Sequence, residues 1–301
     1  MSIVQDIRTA FDRRDNALNQ LLLLNVLVFA ALIVLHAGLT IGGVGGYYEP
    51  VLRQFALSSA LPVLARHPWT IMTYAFTHEG FFHILFNLLN LYWFGQLVRE
   101  YLGNRRLVSL YVLGALAGAV VFLLSYNFLP AFRPGVGASV VGASASVTAI
   151  IVAAATLLPD YTFSLILLGP VKIKWIALAV VLISLAGING GNPGGEITHL
   201  GGALLGFLFI KQLKAGRDLG RPVQAIGDFV GRLFSRRPSM SISTTRRPEP
   251  VTTAARGARP AAAPGQPHPD EVDSILEKIS RSGYESLSKD EKQKLFRASQ
   301  Q

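Results

Sequence analysis

The sequence predicts an all-α polytopic membrane protein, in which a bundle of six transmembrane helices is followed by a partly disordered cytoplasmic tail. Half of its 301 residues are hydrophobic and only 15% are charged, which is too apolar for an ordinary soluble domain. The hydrophobic residues form separate runs of the kind that cross a membrane. The basic residues lie between these runs and in the tail, as expected for cytoplasmic segments of a membrane protein.

Six apolar runs predict the six spans. They cover about residues 18–39, 81–98, 107–129, 141–158, 175–185 and 198–213. Arginines or lysines precede the first run and follow the second, fourth and sixth, and these connections all fall on one side of the membrane. Because that side is cytoplasmic by the positive-inside rule, we expect both chain ends in the cytoplasm and the protein in a bacterial inner membrane. The long connection over residues 40–70 fits an interfacial element and an ordinary loop equally well.

The composition divides the chain into four parts. We expect a cytoplasmic N-terminal segment over 1–17, the six-span membrane domain over 18–215, a basic, mostly disordered linker over 216–269 and a small helical module over 270–301. Apolar residues recur at helical spacing from Val223 to Phe234, which predicts a helix lying on the inner leaflet. Anionic lipids are therefore candidate partners of the basic tail. In the module, Gly283 ends one predicted helix, and Ser288 with Glu291 forms a capping box for another.

Several functions are disfavoured by composition and spacing. The chain has no cysteine, which excludes disulfides, thiolate catalysis and cysteine metal sites. His78 and Glu79 are followed by His83, which is one residue out of phase with the zinc motif His-Glu-x-x-His. An aspartyl site needs two carboxylates that share a proton, and no span interior contains an aspartate. The net charge of +10 lies between spans and in the tail, so we expect no nucleic acid partner. From the missing cysteines and the out-of-phase zinc motif we expect no metal, and we expect no organic cofactor.

The fourth run begins with a serine among small residues, in the stretch Gly142 to Ala145. A serine needs a base and an oxyanion site before it can attack an amide. His199 opens the sixth run at a similar depth, and Gly202 and Gly206 share its helix face. Since small residues let helices approach closely, we expect these spans to bring the imidazole to the Ser144 hydroxyl. Other serines are less well placed, and Ser139 is a stronger rival than Ser146 or Ser125.

Two polar residues of the second span could complete such a site. His83 and Asn87 are four residues apart and therefore share one helix face. Both side chains can donate hydrogen bonds, so they are candidates for stabilising an oxyanion. The alternative is that they bond across helices for packing alone.

With these residues the chain resembles the rhomboid family of intramembrane serine proteases, of the bacterial type with a C-terminal cytoplasmic helical appendage. The resemblance covers about residues 18–213 and is carried by the polar pattern of the second span, the triplet Gly142-Ala143-Ser144, and His199 with Gly202 and Gly206. It implies Ser144 as nucleophile, His199 as general base, and an oxyanion hole formed by His83, Asn87 and the Ser144 backbone N–H. It also implies transmembrane helices as substrates, which enter sideways and are cut near the outer face of the membrane.

Three positions depart from the usual pattern of that family. Ala145 stands where the family usually has glycine, and Thr148 stands where it often has an aromatic residue against which the histidine rests. Trp69 is followed by Thr70 rather than by arginine. None of these changes removes a reacting group. We expect Gly202, opposite Ala145, to accommodate the additional methyl group.

Two functions remain open from the sequence. The first is a serine-type endopeptidase with a Ser-His dyad, and the second is a catalytically inactive rhomboid-like protein that binds transmembrane clients. The retained serine and histidine favour the protease, because client binding requires neither. A small-solute transporter is a weaker third alternative, since the chain shows no internal repeat of broken helices.

Overall fold

The computed structural model describes residues 16–165, 169–234 and 269–298. The chain divides into two compact units, residues 1–237 and 238–301. The helices of the first unit, in chain order, are α1 (Ala17–Ile41), α2 (Tyr48–Leu52), α3 (Leu61–Arg66), α4 (Thr70–Thr73), α5 (Phe81–Leu102), α6 (Asn104–Phe128), α7 (Ser144–Leu157), α8 (Ile173–Gly187), α9 (Pro193–Lys214) and α10 (Arg221–Phe234). Its strands are β1 (Leu57–Ser58), β2 (Ser139–Val140), β3 (Thr162–Leu165) and β4 (Gly169–Lys172).

The helices of this unit confirm the predicted all-α, multi-pass membrane bundle. Helices α1, α5 and α6 are long and apolar enough to cross a membrane. Helices α7 and α8 are apolar but have only 14 and 15 residues. At a rise of ~1.5 Å per residue they span roughly 21–23 Å, which is less than the hydrocarbon core of a bilayer. Each of the six predicted apolar runs is helical over most of its length.

Helix α7 lies at the centre of the bundle and packs against α5, α6, α8 and α9. Ten of its 14 residues are buried, which fits a helix that has apolar residues on every side. The helix begins at Ser144 rather than at Val141, since Gly142 has a positive φ of 124° that bends the chain just before it.

Glycines allow α6 to approach α7 at two levels. A Cβ atom added at Gly118 would lie 2.6 Å from the Cβ of Ala145, and one added at Gly114 would lie 2.7 Å from the Cβ of Ala149. The methyl group of Ala145 is thus accommodated by Gly118 of α6. The expectation that Gly202 accommodates it was wrong, because Gly202 meets the backbone of Ala145 rather than its methyl group.

Helix α9 approaches the other side of α7 even more closely. A Cβ atom added at Gly202 would overlap the carbonyl oxygen of Ala145, and one added at Gly206 would overlap the carbonyl oxygen of Ala149. The two helices run parallel, so Gly206 meets the α7 backbone one turn after Gly202 does. His199, one turn before Gly202, therefore lies level with the bend that precedes Ser144.

The connections add structure that the apolar runs did not predict. Residues 40–70 contain short helices and strand β1, which pairs antiparallel with β2 through Leu57 and Val140 just before the Gly142 bend. The predicted cytoplasmic loop after α7 contains the hairpin β3–β4, in which Thr162 pairs with Lys172. Asp160, beside this hairpin, accepts hydrogen bonds from Lys172 and Lys174 at 3.0 and 2.9 Å.

The first unit continues past the expected domain boundary at residue 215. Helix α10, within the expected linker, packs against α6, where Asp228 pairs with Arg105 at 2.8 Å. Just before α10, Asp218 pairs with Arg106 at 3.0 Å. The remaining expectations for residues 1–15 and 235–268 lie outside the described residues.

The second unit contains two helices, α11 (Pro269–Ser282) and α12 (Lys289–Ala298), among its described residues. Gly283 follows α11 with a φ of 76°, a conformation that favours glycine. A reciprocal capping box begins α12, in which the Ser288 N–H donates to Glu291 at 2.7 Å and the Glu291 N–H donates to the Ser288 hydroxyl at 3.3 Å. Ile275 of α11 and Leu287, which lies just before α12, are buried.

Candidate active site

A cavity of about 860 Å³ lies between α5, α7, α8 and α9. Its polar lining includes all four side chains singled out from the sequence, namely His83, Asn87, Ser144 and His199. Apolar side chains of α5 and α8 complete one side of it. These four side chains bring a hydroxyl group, two imidazoles and an amide to one cavity.

The backbone around Ser144 is fixed by contacts with the segment before α5. The Gly142 N–H donates to the Tyr74 carbonyl at 2.8 Å, and the Ala143 N–H donates to His78 Nε2 at 3.3 Å. Ser144 is the first residue of α7, where backbone N–H groups have no acceptor within the helix. These groups carry the partial positive charge of the helix N-terminus, which favours a negative charge beside the Ser144 hydroxyl.

His83 lies against the Gly142 bend. A Cβ atom added at Gly142 would lie 2.6 Å from His83 Nε2 and 3.7 Å from the Ser144 hydroxyl oxygen. Glycine is therefore required at position 142 for two reasons: its φ is positive, and the His83 imidazole leaves no room for a side chain. The bend leaves the His83 ring beside the hydroxyl group of Ser144.

Asn87 lies one turn further along α5 and is 7% exposed. Its amide nitrogen donates to the His83 carbonyl of its own helix at 2.8 Å. An amide group has two N–H donors, so one is left for a group in the cavity. Among the described residues, neither His83 nor Asn87 has a side-chain hydrogen bond to another helix, which weakens the interpretation that they serve packing alone.

The imidazole of His199 is held from one side. Its Nδ1 atom lies 3.0 Å from the Ser184 hydroxyl oxygen of α8 and 3.2 Å from Glu196 Oε2 of its own helix. Within the described part of the chain, His199 Nε2 and the Ser144 hydroxyl have no hydrogen-bond partner. The structure therefore brings both residues to one cavity without a direct hydrogen bond, and such contacts often tighten only when substrate binds.

Glu196 and Ser184 were not among the predicted site residues. A sequence signal existed for Glu196, because a residue three positions before His199 lies on the same helix face. Ser184 was detectable only as a polar residue within an apolar run. Thr148, which stands where the family often has an aromatic residue, also lines the cavity. In this chain His199 is held instead by the hydroxyl of Ser184 and the carboxylate of Glu196.

The rival serines lie elsewhere in the described structure. The Ser146 hydroxyl is fully buried and donates to the Tyr111 carbonyl at 2.7 Å. Ser139 is exposed in β2, where it pairs with Ser58 of β1. Ser125 is buried in α6 and does not line the cavity. Of the four serines weighed from the sequence, Ser144 is the one at the cavity wall.

Two segments of the chain match known protein families. Residues 65–214 match a family described as Rhomboid domain, and residues 267–301 match a family of unknown function, DUF6576. The first segment includes α5 to α9 and every residue that lines the cavity. The match to the second segment assigns no activity to the C-terminal unit.

Several curated proteins are similar to about half of the chain. RHOMBOID-like protein 12, mitochondrial, of Arabidopsis thaliana is 32% identical over 158 residues, which are 49% of this chain and 47% of the relative. Rhomboid-like protein 16, chloroplastic, of the same plant is 29% identical over 160 residues, which are 49% of this chain and 50% of the relative. Presenilin-associated rhomboid-like protein A, mitochondrial, of Danio rerio is 29% identical over 139 residues, which are 45% of this chain and 35% of the relative.

The chain spans about half the length, or less, of these relatives. The family model, the relatives and the multi-pass helical architecture agree with one another. The chain belongs to the rhomboid family.

Proposed function

We propose that the protein is an intramembrane serine endopeptidase that cleaves transmembrane helices near the outer face of the membrane by a Ser-His dyad. The observation that carries the proposal is the shared cavity of Ser144 and His199 within a rhomboid domain. Other members of the family provide the class of activity, and this chain provides the reacting groups. The proposed mechanism needs neither a metal ion nor an organic cofactor.

In this mechanism Ser144 is the nucleophile and His199 is the general base. As the Ser144 oxygen attacks the peptide carbonyl, His199 Nε2 accepts its proton and then gives it to the departing amine. The tetrahedral intermediate carries its negative charge beside the Ser144 N–H, His83 and Asn87, which form the oxyanion hole. Water then attacks the acyl-enzyme with His199 again as the base, and the Ser144 hydroxyl is restored.

The apolar side of the cavity supports a transmembrane helix as substrate. Phe82 and Phe86 of α5 are 69% and 60% exposed, and Ile183 of α8 is 68% exposed, although all three line the cavity. These side chains form an apolar entrance between α5 and α8 at the level of the site. A helix arriving sideways through the bilayer would meet an apolar surface before it reached Ser144.

A second candidate function is an inactive rhomboid-like protein that binds transmembrane clients. The missing hydrogen bond between Ser144 and His199 favours this alternative, because the apolar entrance alone suffices to bind a helix. Covalent chemistry separates the two candidates. In detergent, an activated phosphonate should label the folded protein covalently, and the protein should cleave model transmembrane substrates. If a folded protein shows no labelling and no cleavage, the client-binding function is the one that remains.

Asn87→Ala should lower the rate of cleavage by ~10²–10³ while the protein stays folded, because one oxyanion donor is removed. Asn90→Ala is the matched control, since Asn90 lines the same cavity and donates to the Phe86 carbonyl of its own helix at 2.8 Å. The control should retain nearly full activity. Turnover and thermal unfolding measured on both variants distinguish the roles: unfolding of Asn87→Ala would show that the residue serves packing.

The location of the protein and its lipid contacts also belong to the proposal. We propose a bacterial inner membrane with both chain ends in the cytoplasm. Basic residues support this orientation, since they lie at the connected ends of α5 and α6, before α8 and at the end of α9. The names of these relatives assign them to mitochondria and chloroplasts. On the same side, α10 turns Asp228 toward Arg105 while Ile226 and Phe229 remain 65% and 59% exposed. Those apolar side chains suit insertion into an inner leaflet that contains anionic lipids.

Cysteines introduced singly at Phe229 and Gly231 should test this arrangement, because the natural chain has no cysteine. Both positions are exposed in the protein, but only position 229 lies on the apolar face of α10. An impermeant maleimide should label position 231 in inverted vesicles and should label position 229 much less, with stronger protection of 229 as the anionic lipid fraction rises. Labelling of both positions from the outer face, or equal labelling in inverted vesicles, would contradict the proposal.

A further inference from the structure

We propose that Glu196 is a positioning residue that holds His199 in the tautomer required of the base, so that the site functions as a triad of serine, histidine and carboxylate. The inference rests on the proposed function of Ser144 and His199. It adds a charged third group to what the sequence and the family resemblance present as a dyad. Its starting observation is that Glu196 Oε2 lies 3.2 Å from His199 Nδ1.

The tautomer matters because only one ring nitrogen can accept the Ser144 proton. If Nε2 is to be the base, the ring proton must lie on Nδ1, and that N–H needs an acceptor. The Ser184 hydroxyl, 3.0 Å from Nδ1, can accept or donate, so by itself it permits the wrong tautomer. An ionised carboxylate can only accept, so Glu196 selects the Nδ1–H form and leaves Nε2 free to face the cavity. It also stabilises the imidazolium that forms during proton transfer.

The surroundings of Glu196 hold its carboxylate in place. A Cβ atom added at Gly187, the last residue of α8, would lie 2.8 Å from the carboxyl carbon of Glu196, so the end of α8 packs directly against this group. Glu196 also lies in the first turn of α9, where the helix N-terminus favours a negative charge. The side chains of Glu196 and His199 are only 22% and 23% exposed, which limits screening of their interaction by water.

The remaining polar groups near His199 do not replace this carboxylate. His83 is the other titratable side chain at the cavity wall, and it lies against the Gly142 bend of α7. Ser144 and Ser184 are uncharged. Among the described residues that line the cavity, Glu196 is the acidic one, so it alone can supply the negative charge that the protonated imidazole needs.

The test uses Glu196→Gln in the full-length protein. The amide keeps the size of the side chain but loses its charge and can donate to Nδ1, which favours the wrong tautomer. We expect kcat to fall by ~10–100-fold with KM changed by less than about twofold, a smaller loss than for the fully buried aspartate of a serine protease triad. Glu79→Gln, which makes the same change of charge at a residue outside the cavity, should leave both constants unchanged. Phosphonate labelling should slow in parallel with kcat.

A spectroscopic measurement separates this inference from the proposed function. In protein labelled with ¹⁵N-histidine, the His199 resonances, assigned by their loss in His199→Ala, should report the Nδ1–H tautomer in the wild type and its loss in Glu196→Gln. A change of tautomer in a protein that cleaves nothing would support the role of Glu196 and reject the protease. An unchanged tautomer with unchanged kcat would overturn the inference. If Glu196→Gln does not fold, Gly187→Ala displaces the same carboxylate and should produce the same two effects.

Discussion

Ser144→Ala is expected to abolish phosphonate labelling and proteolysis, and His199→Ala is expected to do the same. In the proposed mechanism the first variant has no nucleophile and the second has no base to activate it. Removing either member of such a unit in a soluble serine protease lowers kcat by ~10⁶, so residual turnover should be below detection. Both variants should remain folded, because both side chains are partly exposed at the cavity wall and neither is part of the buried core.

The rival serines provide the controls for this experiment. Ser139→Ala should retain full labelling, since Ser139 is exposed on β2 outside the cavity. Ser146 is a poor nucleophile, because its hydroxyl already donates to the Tyr111 carbonyl and is fully buried. Labelling that persists in Ser144→Ala would move the nucleophile to another residue. Mass spectrometry of the labelled peptide would then identify it.

The parts of the fold that were predictable depend on local composition. Apolar runs located the helices of the bundle to within a few residues, because a continuous apolar run is a strong local signal. The start of α12 was also predictable, because Ser288 and Glu291 form the capping box that their spacing predicts. The hairpin β3–β4 was not predicted, because its strands have four residues each and no distinct apolar pattern.

The site was predictable as a set of residues but not as a geometry. Ser144, His199, His83 and Asn87 stood out because polar groups within apolar runs are rare. The direction of the Ala145 methyl group depends on the rotation of α7 between α6 and α9, which no local pattern encodes. The contact between Ser184 and His199 likewise depends on how α8 packs against α9. Helix packing therefore determines whether the predicted residues can act together.

That packing can be tested away from the chemistry with Gly206→Ala. Gly206 lies two turns after His199, about 10 Å along α9, and touches none of the proposed reacting groups. A Cβ atom there would overlap the carbonyl oxygen of Ala149, so α9 must move away from α7. We expect the variant to be destabilised by ~1–3 kcal/mol, as is typical when a tightly packed contact is overfilled, and to lose most of its activity.

Gly38→Ala is the matched control, because Gly38 also lies within an apolar helix but has no atom within 4 Å of the added Cβ position. Alanine is a better helix former than glycine by ~0.5–1 kcal/mol, so this change should be neutral or slightly stabilising. Thermal unfolding in detergent compares the two variants under the same conditions. A Gly206→Ala protein with the unfolding midpoint and activity of Gly38→Ala would show that α7 and α9 do not need this approach. A lower midpoint with full activity would show that the contact stabilises the bundle without holding His199 against the cavity.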